Sequence, residues 1–250
     1  MAMSDGENAA EKAAEKDGSA LQRGLDALLP PGHLKVVGFL IPSEKMTDEL
    51  IGWYENEHSV TARFLWPHMC RYQRNFIMKS ELGDPPLYKV ITEFAWKSEK
   101  DKQAARALYS TSAAQASVNE VLPPFIIQPF PRKSYFMVPV EERIVKANPH
   151  PSRPDEPRSR QIILLRCGLG ESLATFEEAA LAYAGELAAL DPGVGVSVDF
   201  RRDAATTPSP ADAVIFIDNP PDGPLPPSQG DAFEIVHIFD VEALRSPIPE

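Results

Sequence analysis

A proline-rich segment, ANPHPSRPDEPRS over Ala147–Ser159, divides the 250-residue chain into two stretches that repeat one order of elements. Four prolines with few apolar neighbours make it a linker rather than a helix or strand. Before it, an apolar run predicts a strand over Leu34–Ile41, and Thr47 with Asp48 and Glu49 predicts a helix that runs to about His58. Strands follow over Met69–Ile77 and Leu87–Trp96, then a helix over about Glu99–Leu108 opened by Ser98, and a strand over about Ser134–Val140. After the linker come a strand over Gln161–Cys167, a helix over about Ser172–Leu190, and strands over Val194–Arg201, Ala213–Ile217 and Ala232–Phe239.

The first stretch reads β-α-β-β-α-β, the order of a ferredoxin-like unit. The second lacks its second helix: NPPDGPLPPSQGD stands in that place, and so many prolines cannot form one. Such a unit covers one face of its sheet with helices and must bury the other. Two copies in one chain can bury those faces against each other. The predicted fold class is therefore α+β, two tandem ferredoxin-like units packed as an intramolecular pseudo-dimeric α/β barrel. The predicted divisions are a flexible tail over residues 1–32 with a short helix over Leu21–Leu29, a first unit over 33–146, the linker over 147–159, and a degenerate second unit over 160–250.

Composition removes several function classes. No apolar run reaches the ~20 residues that span a bilayer, so no membrane partner is expected. The net charge of −11 argues against a nucleic-acid surface, which needs a basic patch. The opening MAMSDGENAAEKAAEKDG shows no basic stretch followed by an apolar one, so no secretion signal is expected and the location reads as cytoplasmic. Cys70 and Cys167 have no CxxC or clustered histidine nearby, so they read as reduced and buried. The chain contains no G-x-G-x-x-G, P-loop, H-E-x-x-H or G-x-S-x-G, so nucleotide binding, zinc proteolysis and serine hydrolysis lack support.

Chemistry concentrates in Thr47–Ile77. The helix there carries Trp53, Tyr54 and Glu57 on its apolar stripe, with His58 at the edge. The next strand alternates Tyr72 and Arg74 against Arg71, Gln73 and Asn75, a polar face for an interior strand. His58 suits proton exchange near neutral pH, or it caps the helix C-terminus. Arg71 and Arg74 point to opposite faces, so only one enters the barrel. The entering one would hold a carboxylate or enolate-like oxygen. Asn75 and Gln73 suit a carbonyl. His68 reads as surface, His150 has no role, and His237 reads as a core histidine.

The string VVGFL…MTDELIGWYENEHSVTARF…MCRYQRNFI, with Trp53, Tyr54 and His58 followed by Arg71, Tyr72 and Asn75, resembles the EthD-like group of the dimeric α/β barrel superfamily. The resemblance covers roughly residues 34–140. It implies a ferredoxin-like fold and a small-molecule protein without a metal or other cofactor. The wider superfamily includes polyketide cyclases, dehydratases, muconolactone isomerases, cofactor-free monooxygenases and haem-binding enzymes, so activity does not follow from fold. The expected activity is that of a cofactor-free lyase or isomerase, a dehydratase or cyclase acting on a hydrophobic carbonyl or aromatic compound. Its catalytic residues would be His58, Arg71 and Asn75, and its substrate contacts Trp53, Tyr54, Glu57, Tyr72 and Gln73. The alternatives are a non-catalytic EthD-like accessory or ligand-binding protein, and an α/β-barrel monooxygenase. The expected partner is a small hydrophobic or aromatic substrate; pairing of two-unit chains into a homodimer stays open.

Overall fold

The computed structural model describes residues 29–40, 52, 62–82, 89–109, 135–150, 156–202, 209–227 and 230–245. Eight antiparallel strands close into a barrel in the order β1-β3-β2-β8-β5-β7-β6-β4. They are β1 Lys35–Leu40, β2 Met69–Leu82, β3 Val90–Trp96, β4 Tyr135–Lys146, β5 Arg158–Cys167, β6 Gly195–Arg201, β7 Ala213–Asp218 and β8 Phe233–Arg245. Pairing of β1 with β4 completes the closure, with Lys35 opposite Val140 and Leu40 opposite Tyr135. Within each half the strands follow one pattern, β4-β1-β3-β2 and β8-β5-β7-β6, and the halves join at β2–β8 and β4–β6.

Alternation of side chains sorts the strands into an interior and an outer face. Inside, Val37, Phe39, Ile91, Val138, Ile162, Leu164, Val214, Phe216 and Phe239 form an apolar filling. Outside, two further clusters lie beneath the helices. Helix α1, Glu99–Tyr109, follows Ser98, whose hydroxyl accepts the Asp101 N–H (3.1 Å). With a 3₁₀ segment, Ala62–His68, it covers Val36, Tyr72, Phe94 and Trp96. Lys102 of α1 is buried and donates from Nζ to the His33 carbonyl (2.9 Å), which ties the entry to β1 against the helix.

Helix α2, Leu173–Ala189, is capped by Ser172, whose hydroxyl accepts the Thr175 N–H (3.1 Å). Its Phe176, Ala180, Tyr183, Ala184 and Leu187 are buried at helical spacing against Ile163, Leu165, Val196 and Phe200. Between β7 and β8 the described residues contain no helix: Asn219–Pro227 runs as an irregular strap. Among the described residues, no helix is long and apolar enough to cross a membrane.

Three strands exceed their predicted ends: β2 by five residues, β4 by six and β8 by six. The apolar pattern stops earlier, but cross-strand pairing continues, as with Ser80 opposite Phe239 and Leu82 opposite Ile238. Backbone hydrogen bonds need no apolar side chain, so periodicity underestimates strands that overhang the core. The expectation of buried cysteines is corrected: Cys70 is exposed and Cys167 partly so. Cys70 is the second residue of β2, and its thiol faces the Trp96 carbonyl (3.7 Å).

Candidate functional site

Strand β2 enters the barrel with Arg71, Gln73 and Asn75 on one face. Arg74 takes the other, where it is buried over the Tyr72 ring at 5.2 Å. The interior face meets a cluster of buried charge. Lys35 from β1 places Nζ 2.7 Å from Asp199 Oδ2, 2.7 Å from Glu142 Oε1 and 3.1 Å from Glu93 Oε2. Arg71 Nη1 lies 2.5 Å from Glu142 Oε1 and 3.3 Å from Glu93 Oε2. Arg160, from β5, donates from Nη1 to Glu93 Oε1 (2.6 Å) and to Asn75 Oδ1 (2.8 Å), and its Nε lies 2.5 Å from Asp218 Oδ1. Asn75 Nδ2 donates to the Ile91 carbonyl (2.9 Å) and to Glu93 Oε1 (3.3 Å).

Seven strands, β1 to β7, contribute to this cluster, and all its members sit at one end of the barrel. Its base is the ring of Phe216, whose centroid lies 5.2 Å from Lys35 Nζ and 4.9 Å from the Arg160 guanidinium carbon. Both distances suit cation–π attraction. Beyond that ring the filling is apolar. Glu93 and Asp199 are fully buried, whereas Glu142 and Asp218 are partly exposed and the Arg71 side chain is 31% exposed. The cluster therefore reaches solvent at Arg71, Glu142 and Asp218.

Charge is unequal, with three cations against four carboxylates. Burial works to raise the Glu93 carboxyl, but Arg160, then Lys35 and Arg71, outweigh it and hold Glu93 well below the usual carboxylate range. Glu142 is lowered in the same way: burial opposes, and Lys35 and Arg71 prevail. Asp199 behaves oppositely. Burial pushes it up to about 6; Lys35 pulls it down, and the neighbouring Glu93 and Glu142 push it up again. Lys35 is raised above its ordinary value, because Asp199 and Glu93 outweigh the burial that would lower it. The surplus negative charge thus falls on Asp199, which exchanges a proton within reach of neutral pH. A cavity of about 10 Å³ borders Asp199, Arg201 and Ser209.

Of the residues singled out in the sequence, the structure brings Arg71, Gln73 and Asn75 to one interior face. Tyr72 is separated from them: it is buried on the outer face, stacked on Phe94 at 5.1 Å between centroids. Trp53, Tyr54, Glu57 and His58 lie outside the described residues. His237 stacks on Phe239 at 5.1 Å and is half-buried. His68 pairs with Asp101 at 3.2 Å on the helical side.

Sequence reasoning missed Lys35, Glu142, Arg160, Asp199 and Asp218, and it placed the polar cluster wholly in the first half. Part of the signal was present. In β6 the alternation Val196, Val198 and Phe200 against Ser197, Asp199 and Arg201 has the same character as β2, one apolar face and one polar. Among the described residues, no group of three or more histidine, cysteine or acidic side chains has the arrangement of a metal site.

The sequence matches no family model and no curated protein. Solved structures of related chain path include a candidate monooxygenase from Lactobacillus acidophilus NCFM, 13% identical, with a TM-score of 0.44 over 85% of this chain and 95% of that one. Two others are an anthrone oxidase-like protein (13% identity, TM-score 0.45, 88% and 95%) and a candidate chlorite dismutase (10% identity, TM-score 0.43, 85% and 95%). At these scores no residue role passes from them to this chain.

Proposed function

We propose that the chain is a cofactor-free, EthD-like enzyme of lyase or isomerase type, built as two ferredoxin-like units and moving protons on a hydrophobic carbonyl or aromatic compound at the charged end of the barrel. One observation carries this reading. Arg71 is partly exposed and approaches both Glu93 and Glu142 through Nη1, at the edge of the cluster that reaches solvent. The same guanidinium is linked through Glu142 and Lys35 to Asp199, the buried carboxyl that exchanges a proton near neutral pH. An anion-holding edge beside a tuned acid is what proton transfer next to a carbonyl requires.

In a dehydration of this kind, a base takes the proton from the carbon next to the carbonyl. The electron pair passes to the carbonyl oxygen, which Arg71 holds as an oxyanion. The oxyanion then collapses, and the leaving hydroxyl departs with a proton as water. His58 is the proposed base, and Trp53, Tyr54, Glu57 and Gln73 are the proposed substrate contacts. Asn75 acts as a positioning residue through Arg160 and Glu93.

Native mass spectrometry after gentle purification should reveal a retained carbonyl or carboxylate compound. Arg71→Ala should lose that compound. Asp199→Asn should retain it yet turn it over about 10²-fold more slowly, as for a lost proton carrier. Unchanged retention in Arg71→Ala, or unchanged turnover in Asp199→Asn, would sink the reading. A specific observation favours a second reading, a non-catalytic ligand-binding protein: Asn75 and Arg160 spend their polar groups on each other and on Glu93. Retention of a compound that the protein never converts would select it. Oxygen consumption with that compound would select the monooxygenase alternative.

A further inference from the structure

A groove of about 1350 Å³ lies outside the barrel and away from the charged interior. It occupies the outer face of β8 and β5, where the chain supplies the Asn219–Pro227 strap in place of a helix. Its floor is apolar: Phe233, Ile235 and Ile238 of β8, with Tyr183 of α2. One wall is the strap, held down where the Tyr183 hydroxyl donates to the Pro226 carbonyl (2.9 Å). On the opposite rim stand two exposed leucines, Leu82 at 44% and Leu169 at full exposure.

Charge around this apolar floor is one-sided. Five carboxylates line it (Glu81, Asp222, Asp231, Glu234 and Asp240) against the single guanidinium of Arg166. Lys79 pairs with Glu81, and Gln161 donates to Asp240. Asp222, Asp231 and Glu234 have no ion pair among the described residues. Apolar floor, exposed leucines and an acidic rim together favour a ligand with an apolar face and cationic flanks. A second copy of this chain, with its net charge of −11, has the wrong sign.

The dimensions point to a helix. About ten residues of helix form a cylinder roughly 15 Å long and 10 Å across, on the order of 1200 Å³. The first half fills its corresponding crossover between β3 and β4 with α1, of 11 residues. We propose that the groove docks a cationic amphipathic helix from a partner protein, seated where the β7–β8 crossover carries no helix of its own.

The test uses the full chain and a labelled synthetic helix of about four turns, with leucines along one face and lysines and arginines beside it, read by fluorescence anisotropy. Saturable binding is expected, weakening as salt is raised. Leu169→Asp and Glu234→Lys, both at exposed positions and checked for folding by circular dichroism, should each weaken it about tenfold or more. Four results would overturn the proposal. They are no saturable binding to the folded wild-type chain, equal binding of a glutamate-flanked helix, equal binding by both variants, and a wild-type dimer that Leu169→Asp converts to monomer.

Discussion

The two ends of the barrel interior solve one problem in different ways. At one end Phe39, Val138, Leu164, Val214 and Phe239 close the space by apolar packing. At the other, Lys35, Arg160, Glu93 and Asp199 close it with buried charge. Apolar packing is non-directional and forgiving: a lost methylene leaves a small cavity and little else. Buried ion pairs barely repay their desolvation, and replacing them with apolar residues of similar volume is often neutral or stabilising. The chain shows that it can close a barrel end with valine and phenylalanine, so stability alone does not account for the charged end. That difference is the physical argument for locating chemistry there.

The largest expected effect comes from Glu93, the one carboxylate that meets all three cations of the cluster. Glu93→Ala should cost about 3–5 kcal/mol, because it leaves Lys35, Arg71 and Arg160 facing one another in a buried space. The double variant Glu93→Leu with Arg160→Met should lose less than Glu93→Leu alone, since it removes one of the buried cations that Glu93 would leave unpaired, and the Asp218 carboxylate that Arg160 releases is partly exposed. Urea unfolding at neutral pH measures all three. A double variant that loses as much as the sum of its parts would mean that the charged end is held by packing, like its opposite.

Much of the fold was legible because period-two alternation and helix caps are local signals. Ser172 and Ser98 open their helices as read, and the proline run between β7 and β8 excludes a helix as read. The polar face of β2 was legible too, since Arg71, Gln73 and Asn75 recur at every second position. Its partners were not. Lys35 stands second in the stretch Leu34–Ile41, which otherwise reads as apolar, and Glu142 falls beyond the last apolar residue assigned to β4. Arg160 and Asp199 are far from β2 in sequence. Which carboxylate meets which cation depends on closure of the barrel, a property of register between distant strands.

The next effect is a dependence on pH. Asp199 has a folded value of about 6 against an ordinary value of 3.8, so the folded state holds its proton more tightly. Its contribution to stability is complete below pH ~4 and is lost as pH rises through 6, about 3 kcal/mol in all. Glu93 and Glu142 are lowered, so their contribution is present above the ordinary carboxylate range and lost as pH falls below it. Between pH 4 and 7, stability of wild type relative to Asp199→Asn should therefore decline by an amount of that order. A flat difference would mean that Asp199 does not carry the surplus charge. Lys35→Met should push the Asp199 carboxyl still higher, because Lys35 is the group that pulls it down. Carbon-detected NMR titration of the carboxyls would show this.

A smaller change probes the strap between β7 and β8. Tyr183→Phe removes the hydroxyl that donates to Pro226 and should cost about 1 kcal/mol. Its unfolding free energy should be lower by the same amount at pH 4 and pH 7, because no group of the charged cluster is touched.

An effect of similar size locates the boundary between the two ends. Ile91 belongs to the apolar filling, yet its carbonyl accepts the Asn75 Nδ2 hydrogen bond, and Asn75 in turn holds Arg160 and Glu93. Ile91→Val deletes one methylene from the apolar side and leaves the backbone acceptor in place. A loss of about 0.5–1.5 kcal/mol is expected, equal at pH 4, 6 and 8, since the cavity it leaves is apolar and the charges keep their partners. If the loss instead changes with pH, the methylene must have shifted β3 enough to move Asn75 and with it the Glu93–Arg160 pair. The two ends would then share one mechanical unit, and the apolar end would be tuning the proton affinity of the charged one. Denaturant unfolding of Ile91→Val and wild type across those three pH values distinguishes the outcomes, because only a displaced ion pair gives a cavity mutation a titration curve.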